Sequence, residues 1–314
     1  MSRVIITGGA GFVGSHLCEA LLARGDQVVC VDNLSTSDRS NLAILDFSSG
    51  FTFVQGDVSE DILVEGKVDV VAHLASPASP PQYLRLPLET LAVGSRGTEA
   101  CLHLAKRHDA RFILASTSEI YGNPLVHPQS EAYWGNVSST GPRSVYDEAK
   151  RFAEALTMAY SRYQSVDVGI VRIFNTYGPR LRRGDGRVVS NFVCQALSGV
   201  PLTIYGDGLQ TRSFCYVDDL VTGLLAMIDQ RGFVGPVNIG NPQEITVAEL
   251  ARRVLDTTGS TSEVVYSPAP EQDPARRQPD ITLARERLGW SPAVSLEDGL
   301  EHTVNWFRRQ TSLL

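Results

Sequence analysis

Gly8-Gly9-Ala10-Gly11-Phe12-Val13-Gly14 directly follows the β-branched run Arg3 to Thr7 and opens a helical pattern, Val13 to Arg24. Its GxxGxxG spacing puts glycine where a backbone must turn sharply, approach a pyrophosphate and let a helix pack onto a strand. The helix behind it offers unpaired N–H groups and a partial positive charge to phosphates. A tight strand-to-helix turn without a ligand uses glycine in the same way. Asp32 separates the two readings. It ends the next strand, Gln27 to Asp32, 18 residues beyond Gly14, where a carboxylate accepts hydrogen bonds from an adenosine ribose and repels a 2′-phosphate. Asn33 rather than an arginine follows it, so NAD is expected and NADP is not. Asp57, ending the third strand, either reaches the adenine or terminates that strand in a turn.

Outward from this unit the same alternation continues. Strands are expected over Phe51 to Asp57, Val68 to Ala75, Arg111 to Thr117 and Val166 to Ile173, with helical patterns between them. That is the signature of βαβ units, and it predicts an α/β fold: a Rossmann-type, doubly wound parallel sheet. After Arg172 proline and glycine become frequent and arginines cluster between Arg180 and Arg187. Residues 1–175, with a return over about 214–240, are therefore expected to form the dinucleotide-binding domain. Residues 176–213 and 241–314 are expected to form a smaller, less regular substrate-binding domain.

Composition narrows the partners. With 314 residues, 43% hydrophobic and 20% charged, the chain is of ordinary globular make-up and should fold throughout. A net charge of -7 argues against nucleic acid and against anionic membranes, since the overall field repels both. The five cysteines are scattered and show no metal-ligand spacing, so no metal is expected and a reducing compartment is, by default the cytoplasm. The run Val4-Ile5-Ile6-Thr7 begins so close to Met1 that no signal or transit peptide is expected, and no apolar stretch reaches the length of a membrane span.

Tyr146-Asp147-Glu148-Ala149-Lys150 sets a phenol and an ammonium four residues apart, on one helix face. An ammonium beside a phenol favours phenolate, making Tyr146 a candidate base for a sugar hydroxyl. Ser116-Thr117-Ser118-Glu119 ends the fifth strand, and ligands of such sheets bind beyond the carboxyl ends of the strands, so Thr117 can meet the same oxygen.

These segments resemble the extended short-chain dehydrogenase/reductase family of sugar-nucleotide epimerases, dehydratases and decarboxylases, over nearly the whole chain. The resemblance is strongest to the UDP-glucuronate decarboxylase branch. It is carried by His73 to Pro81 (HLASPASPP), His127 to Glu131 (HPQSE), Asp185 to Phe192 (DGRVVSNF) and Gln210 to Arg212 (QTR). It implies UDP-glucuronate as substrate, NAD as coenzyme and a homodimer built on helices over about Leu88 to Arg107 and Tyr146 to Tyr163. It implies Tyr146, Lys150, Thr117, Ser118 and Glu119 as the catalytic set. Coenzyme residues implied are Gly8, Gly11, Phe12, Val13, Gly14, Asp32, Asn33, Asp57, Val58, Leu74 and Ala75, besides Tyr146 and Lys150. Pro77, Ser79 and Tyr83 are implied at the sugar, and Asn175, Arg187, Asn191, Tyr205, Arg212 and Arg277 around the nucleotide. Ser118 stands where the related dehydratases carry an acid, so loss of water is disfavoured, whereas Glu119 is a residue the 4-epimerases of the family lack. Left open are a decarboxylase that releases the keto pentose, a 4-epimerase of the same substrate and a non-catalytic NAD-sensing scaffold.

Overall fold

The computed structural model describes residues 1–60, 64–269 and 276–311. The expected alternation resolves into seven strands of one sheet: β1 (Arg3–Thr7), β2 (Gln27–Asp32), β3 (Phe51–Gln55), β4 (Val70–His73), β5 (Arg111–Thr117), β6 (Val168–Ile173) and an edge strand Val237–Ile239. All neighbours run parallel, in the order β3-β2-β1-β4-β5-β6 followed by the edge strand. The order reverses between β1 and β4, which opens a crevice beyond their carboxyl ends.

Strand periodicity explains the layers. Val4 and Ile6 face one core while Ile5, between them, faces the other; Val28 and Cys30 alternate with Val29 and Val31 in the same way. The first core is closed by α1 (Phe12–Ala23), through Leu17 and Leu21, and by the helix Val217–Asp229, through Leu220 and Leu224. Leu102 and Ala105 of Thr98–His108, with Ala153 of Ser144–Gln164, close the second. Covered on both faces, β4 and β5 are buried at every position.

Three strands are shorter than the sequence suggests: β6 starts only at Val168, β3 stops at Gln55, and β4 runs only from Val70 to His73. For the early end of β4 the reason lies at the crevice. Leu74 still donates its N–H to the Thr7 carbonyl at 3.1 Å, but the chain then leaves the ladder and, with Ala75, lines the crevice instead. In the second half, pairing is confined to short pieces, such as Leu202–Tyr205 with Val264–Ser267 and Thr211–Ser213 with Glu244–Thr246. Among the described residues no helix is long and apolar enough to cross a membrane, and no group of acidic, histidine or cysteine side chains could hold a metal ion.

Candidate active site

The crevice is a cleft of about 370 Å³. It is lined by every residue expected at the coenzyme from Gly8 through Ala75, with Pro77, Ser79 and Arg187 at its further end. The glycines make it possible. Gly8 has φ +72°, and a Cβ there would come within 2.7 Å of the Ala75 backbone. On Gly14 a Cβ would lie 2.2 Å from the Gly8 carbonyl oxygen, so only glycine lets α1 start this close to β1. No side chain caps α1, which leaves its first N–H groups for a ligand.

Asp32 is half committed to holding its own loop. Oδ1 accepts from the Leu34 N–H at 2.9 Å and the Ser37 hydroxyl at 2.7 Å, and Oδ2 from the Ala10 N–H at 3.0 Å. Asp57 accepts from the Asn33 amide and the Ser59 N–H, both at 2.8 Å. Partial burial works to raise its pKa, but these hydrogen bonds prevail and lower it, with Arg96 adding to the effect. Arg96 sits in a π-helical turn, Val93–Gly97, that interrupts the expected helix over Leu88 to Arg107 and turns part of it into the cleft wall. No spacing pattern marks Arg96 in the sequence.

Tyr146 and Lys150 are both buried on the helix Ser144–Gln164, with the Thr117 hydroxyl close to the phenol. The electrostatics correct the sequence reading. Burial dominates and raises the Tyr146 phenol to about 12, against the lowering by the Thr117 hydrogen bond and the Arg187 charge. Lys150 does not reverse this. Its ammonium donates to the Ala115 carbonyl at 2.8 Å and stands 6.0 Å from the centre of the Tyr146 ring. Burial lowers Lys150 itself to about 8. Tyr83 stacks on Tyr146, with ring centres 5.2 Å apart and planes within 8°, and its buried hydroxyl has no hydrogen-bond partner among the described residues.

Beside them Glu119 is clamped. Arg277 donates to both carboxylate oxygens, at 2.5 and 2.8 Å, and Arg143 donates to Oε2 at 2.6 Å. Burial alone would raise this carboxyl, but the two guanidinium charges and their hydrogen bonds hold it down at about 2. Arg277 thus commits one N–H of each terminal guanidinium nitrogen to Glu119, and the paired charges hold Glu119 as a carboxylate. Arg143 belongs to this clamp although it lies in a Gly-Pro loop with no motif of its own. Arg212 is buried, donating to the Thr211 carbonyl at 2.8 Å; Asn175 and Asn191 are half-buried, Ser118 is buried, and Tyr205 is exposed.

Asp147, next to Tyr146, is buried with one carboxylate oxygen unpartnered. Burial, then the Glu119 charge, raise it from 3.8 to about 7, although Arg143 and Arg277 oppose them. A carboxyl that binds its proton more tightly in the folded chain than in the unfolded one makes stability fall as pH rises between those two values, 3.8 and about 7. Asp147→Asn cannot titrate. Its stability relative to the native chain is expected to improve over that window, by on the order of a few kcal/mol at most, and to level off above it. Urea midpoints measured across pH check this; a difference independent of pH would contradict it.

The comparisons with known proteins follow the same lines. Residues 4–240 match the model of the NAD dependent epimerase/dehydratase family. UDP-glucuronic acid decarboxylase 2 of Arabidopsis thaliana is 54% identical over 98% of this chain and 68% of its own length. Among solved structures, UDP-glucose 4-epimerase with UDP-glucose from Thermotoga maritima superposes with a TM-score of 0.90 at 31% identity, covering 98% of this chain and 99% of that one. UDP-glucuronic acid 4-epimerase from Bacillus cereus, in complex with UDP-glucuronic acid and NAD, gives a TM-score of 0.84 at 29% identity, with 98% and 99% covered. The chain belongs to the NAD dependent epimerase/dehydratase family.

Proposed function

We infer that this protein is an NAD-dependent decarboxylase that converts UDP-glucuronate to UDP-xylose. The observation that carries the reading is the 54% identity to a UDP-glucuronic acid decarboxylase over 98% of the chain. The site explains how the chemistry can run. The glycine cradle, the uncapped start of α1 and the Asp32 carboxylate fit a dinucleotide, with the residues from Gly8 to Ala75 holding it. NAD, when bound, supplies the acceptor for the sugar's C4 hydride and its return. Tyr146, assisted by Thr117, is placed to take the C4 hydroxyl proton, with Lys150 four residues on along the same helix. Oxidation at C4 leaves the C6 carboxylate β to a ketone. The C5–C6 bond then breaks, carbon dioxide departs, and the electron pair enters an enolate without any metal. C5 is then protonated from the side of Ser118 and Glu119, by one of them or by a water they orient. Dehydration is disfavoured because Ser118 stands where the related dehydratases carry an acid.

Pro77, Ser79 and Tyr83 are assigned to the sugar and Arg187, Arg212, Asn175, Asn191 and Tyr205 to the nucleotide, where arginine forks suit a diphosphate. Residues 1–175 with 214–240 are read as the coenzyme unit, supported by the return of Val237–Ile239 to β6. Residues 176–213 with 241–314 are read as the sugar-nucleotide unit, its positions 270–275 and 312–314 lying outside the described residues. A homodimer is proposed through the helical segments near Leu88 and Phe152, whose side chains are 75% and 51% exposed. The cytoplasm is the proposed compartment, supported by five free cysteines.

Because the coenzyme is returned to its starting state, product is expected to exceed a small NAD addition many times without NADH absorbance. One NADH per sugar would instead indicate release of the keto pentose. Asp32→Ala is expected to weaken NAD binding and to erase discrimination against NADP, since the carboxylate is assigned both tasks. Coenzyme titrations check this, and an unchanged NAD preference would leave Asp32 only its loop-holding hydrogen bonds.

A further inference from the structure

The segment that delivers Arg277 has no regular secondary structure from Arg276 to Ile281. Yet both guanidinium arms must meet Glu119 within hydrogen-bond distance, and a long side chain does so reliably only from a fixed backbone. The fixing comes from Gln129, which is fully buried. Its carboxamide oxygen accepts the Gln278 N–H at 2.9 Å, and its own N–H donates to the Gln278 carbonyl at 2.9 Å. Its carbonyl accepts the Asp280 N–H at 2.8 Å and the Asn238 side-chain amide at 3.0 Å. The carboxamide NH2 donates to the Val126 carbonyl at 2.8 Å and faces His127 Nδ1 at 3.5 Å.

Two further bonds anchor this assembly. Ser213 donates to the Arg277 carbonyl at 3.2 Å, and the Asn238 N–H, on the sheet's edge strand, donates to Glu131 at 2.8 Å. A continuous path thus runs from the sheet edge through Gln129 to the residue after Arg277, and from Arg277 to Glu119. His127 to Glu131 stood out in the sequence, but the coenzyme and sugar assignments give it no task.

We propose that Gln129 is a positioning residue for the reaction, acting through Arg277 on Glu119. The inference rests on the decarboxylase reading. A mere structural brace would weaken the protein whatever stood at position 277, whereas a residue acting through Arg277 loses its effect once Arg277 is gone. The test is a double-mutant cycle of Gln129→Met and Arg277→Ala, measuring kcat, KM for UDP-glucuronate and NAD affinity. Gln129→Met is expected to lower kcat by about tenfold to 100-fold, with NAD affinity unchanged. The double variant should be no slower than Arg277→Ala alone. Normal kcat in Gln129→Met, or losses that multiply in the double variant, would overturn the proposal. If Gln129→Met fails to bind NAD, Gln129→Leu, which likewise lacks the acceptor for the Gln278 N–H, takes its place in the cycle with the same criteria. Failure of the underlying reading shows elsewhere: an unmodified protein that leaves UDP-glucuronate intact removes both, whereas multiplying losses in an active enzyme remove only the role of Gln129.

Discussion

Tyr146→Phe is expected to lower turnover by about 100-fold or more, the usual scale of a lost general base, while NAD affinity stays near normal. The ring itself is retained, so its stacking on Tyr83 at 5.2 Å survives and the helix Ser144–Gln164 has no reason to move. What disappears is the hydroxyl proposed to take the C4 proton. Because burial raises this phenol to about 12, the native enzyme should also gain kcat/KM as pH rises, the phenolate fraction growing with each step, and Tyr146→Phe should lose that limb. Steady-state kinetics across pH read both effects. A variant within a few-fold of native turnover would remove the tyrosine from the mechanism.

Gly14→Ala is expected to be equally severe for a different reason. The added methyl would lie 2.2 Å from the Gly8 carbonyl oxygen and 2.7 Å from the Gly9 Cα, and both are backbone atoms that cannot rotate aside. Relief requires α1 to back away from β1, which dismantles the phosphate cradle. NAD binding, followed by calorimetric titration, should weaken about 100-fold or more or be lost altogether, in keeping with a site whose geometry tolerates little displacement. Ordinary NAD affinity in this variant would mean that the close helix–strand approach is not what holds the coenzyme.

Those two positions were legible in the sequence because their signals are local. A glycine spacing, a phenol and ammonium four residues apart, and a carboxylate closing β2 all declare themselves within one βα unit. The β-branched runs alternating with helical patterns likewise predicted the doubly wound parallel sheet. What escaped was set by distance and burial. Arg277 meets Glu119 across 158 positions of chain, so nothing near either residue announces the pair. Arg143 completes the clamp from an unpatterned loop. The sequence could place Lys150 on the face of Tyr146 but could not weigh burial against charge, and burial turned out to govern the phenol. Asp147 shows the same limit. Between tyrosine and lysine it reads as a solvated helix position, and only the packed helix reveals an acid partly stripped of partners.

The most direct test of the central claim follows hydrogen in heavy water. If UDP-glucuronate is oxidised at C4, decarboxylated and reduced again, the C4 hydrogen leaves and returns without exchange, while C5 takes its new hydrogen from solvent. Mass spectrometry should show loss of carbon dioxide, and NMR of the UDP-pentose should place one deuterium at C5 and none at C4. A UDP-hexuronate product with its carboxylate intact, or a pentose carrying solvent deuterium at C4, would contradict the account.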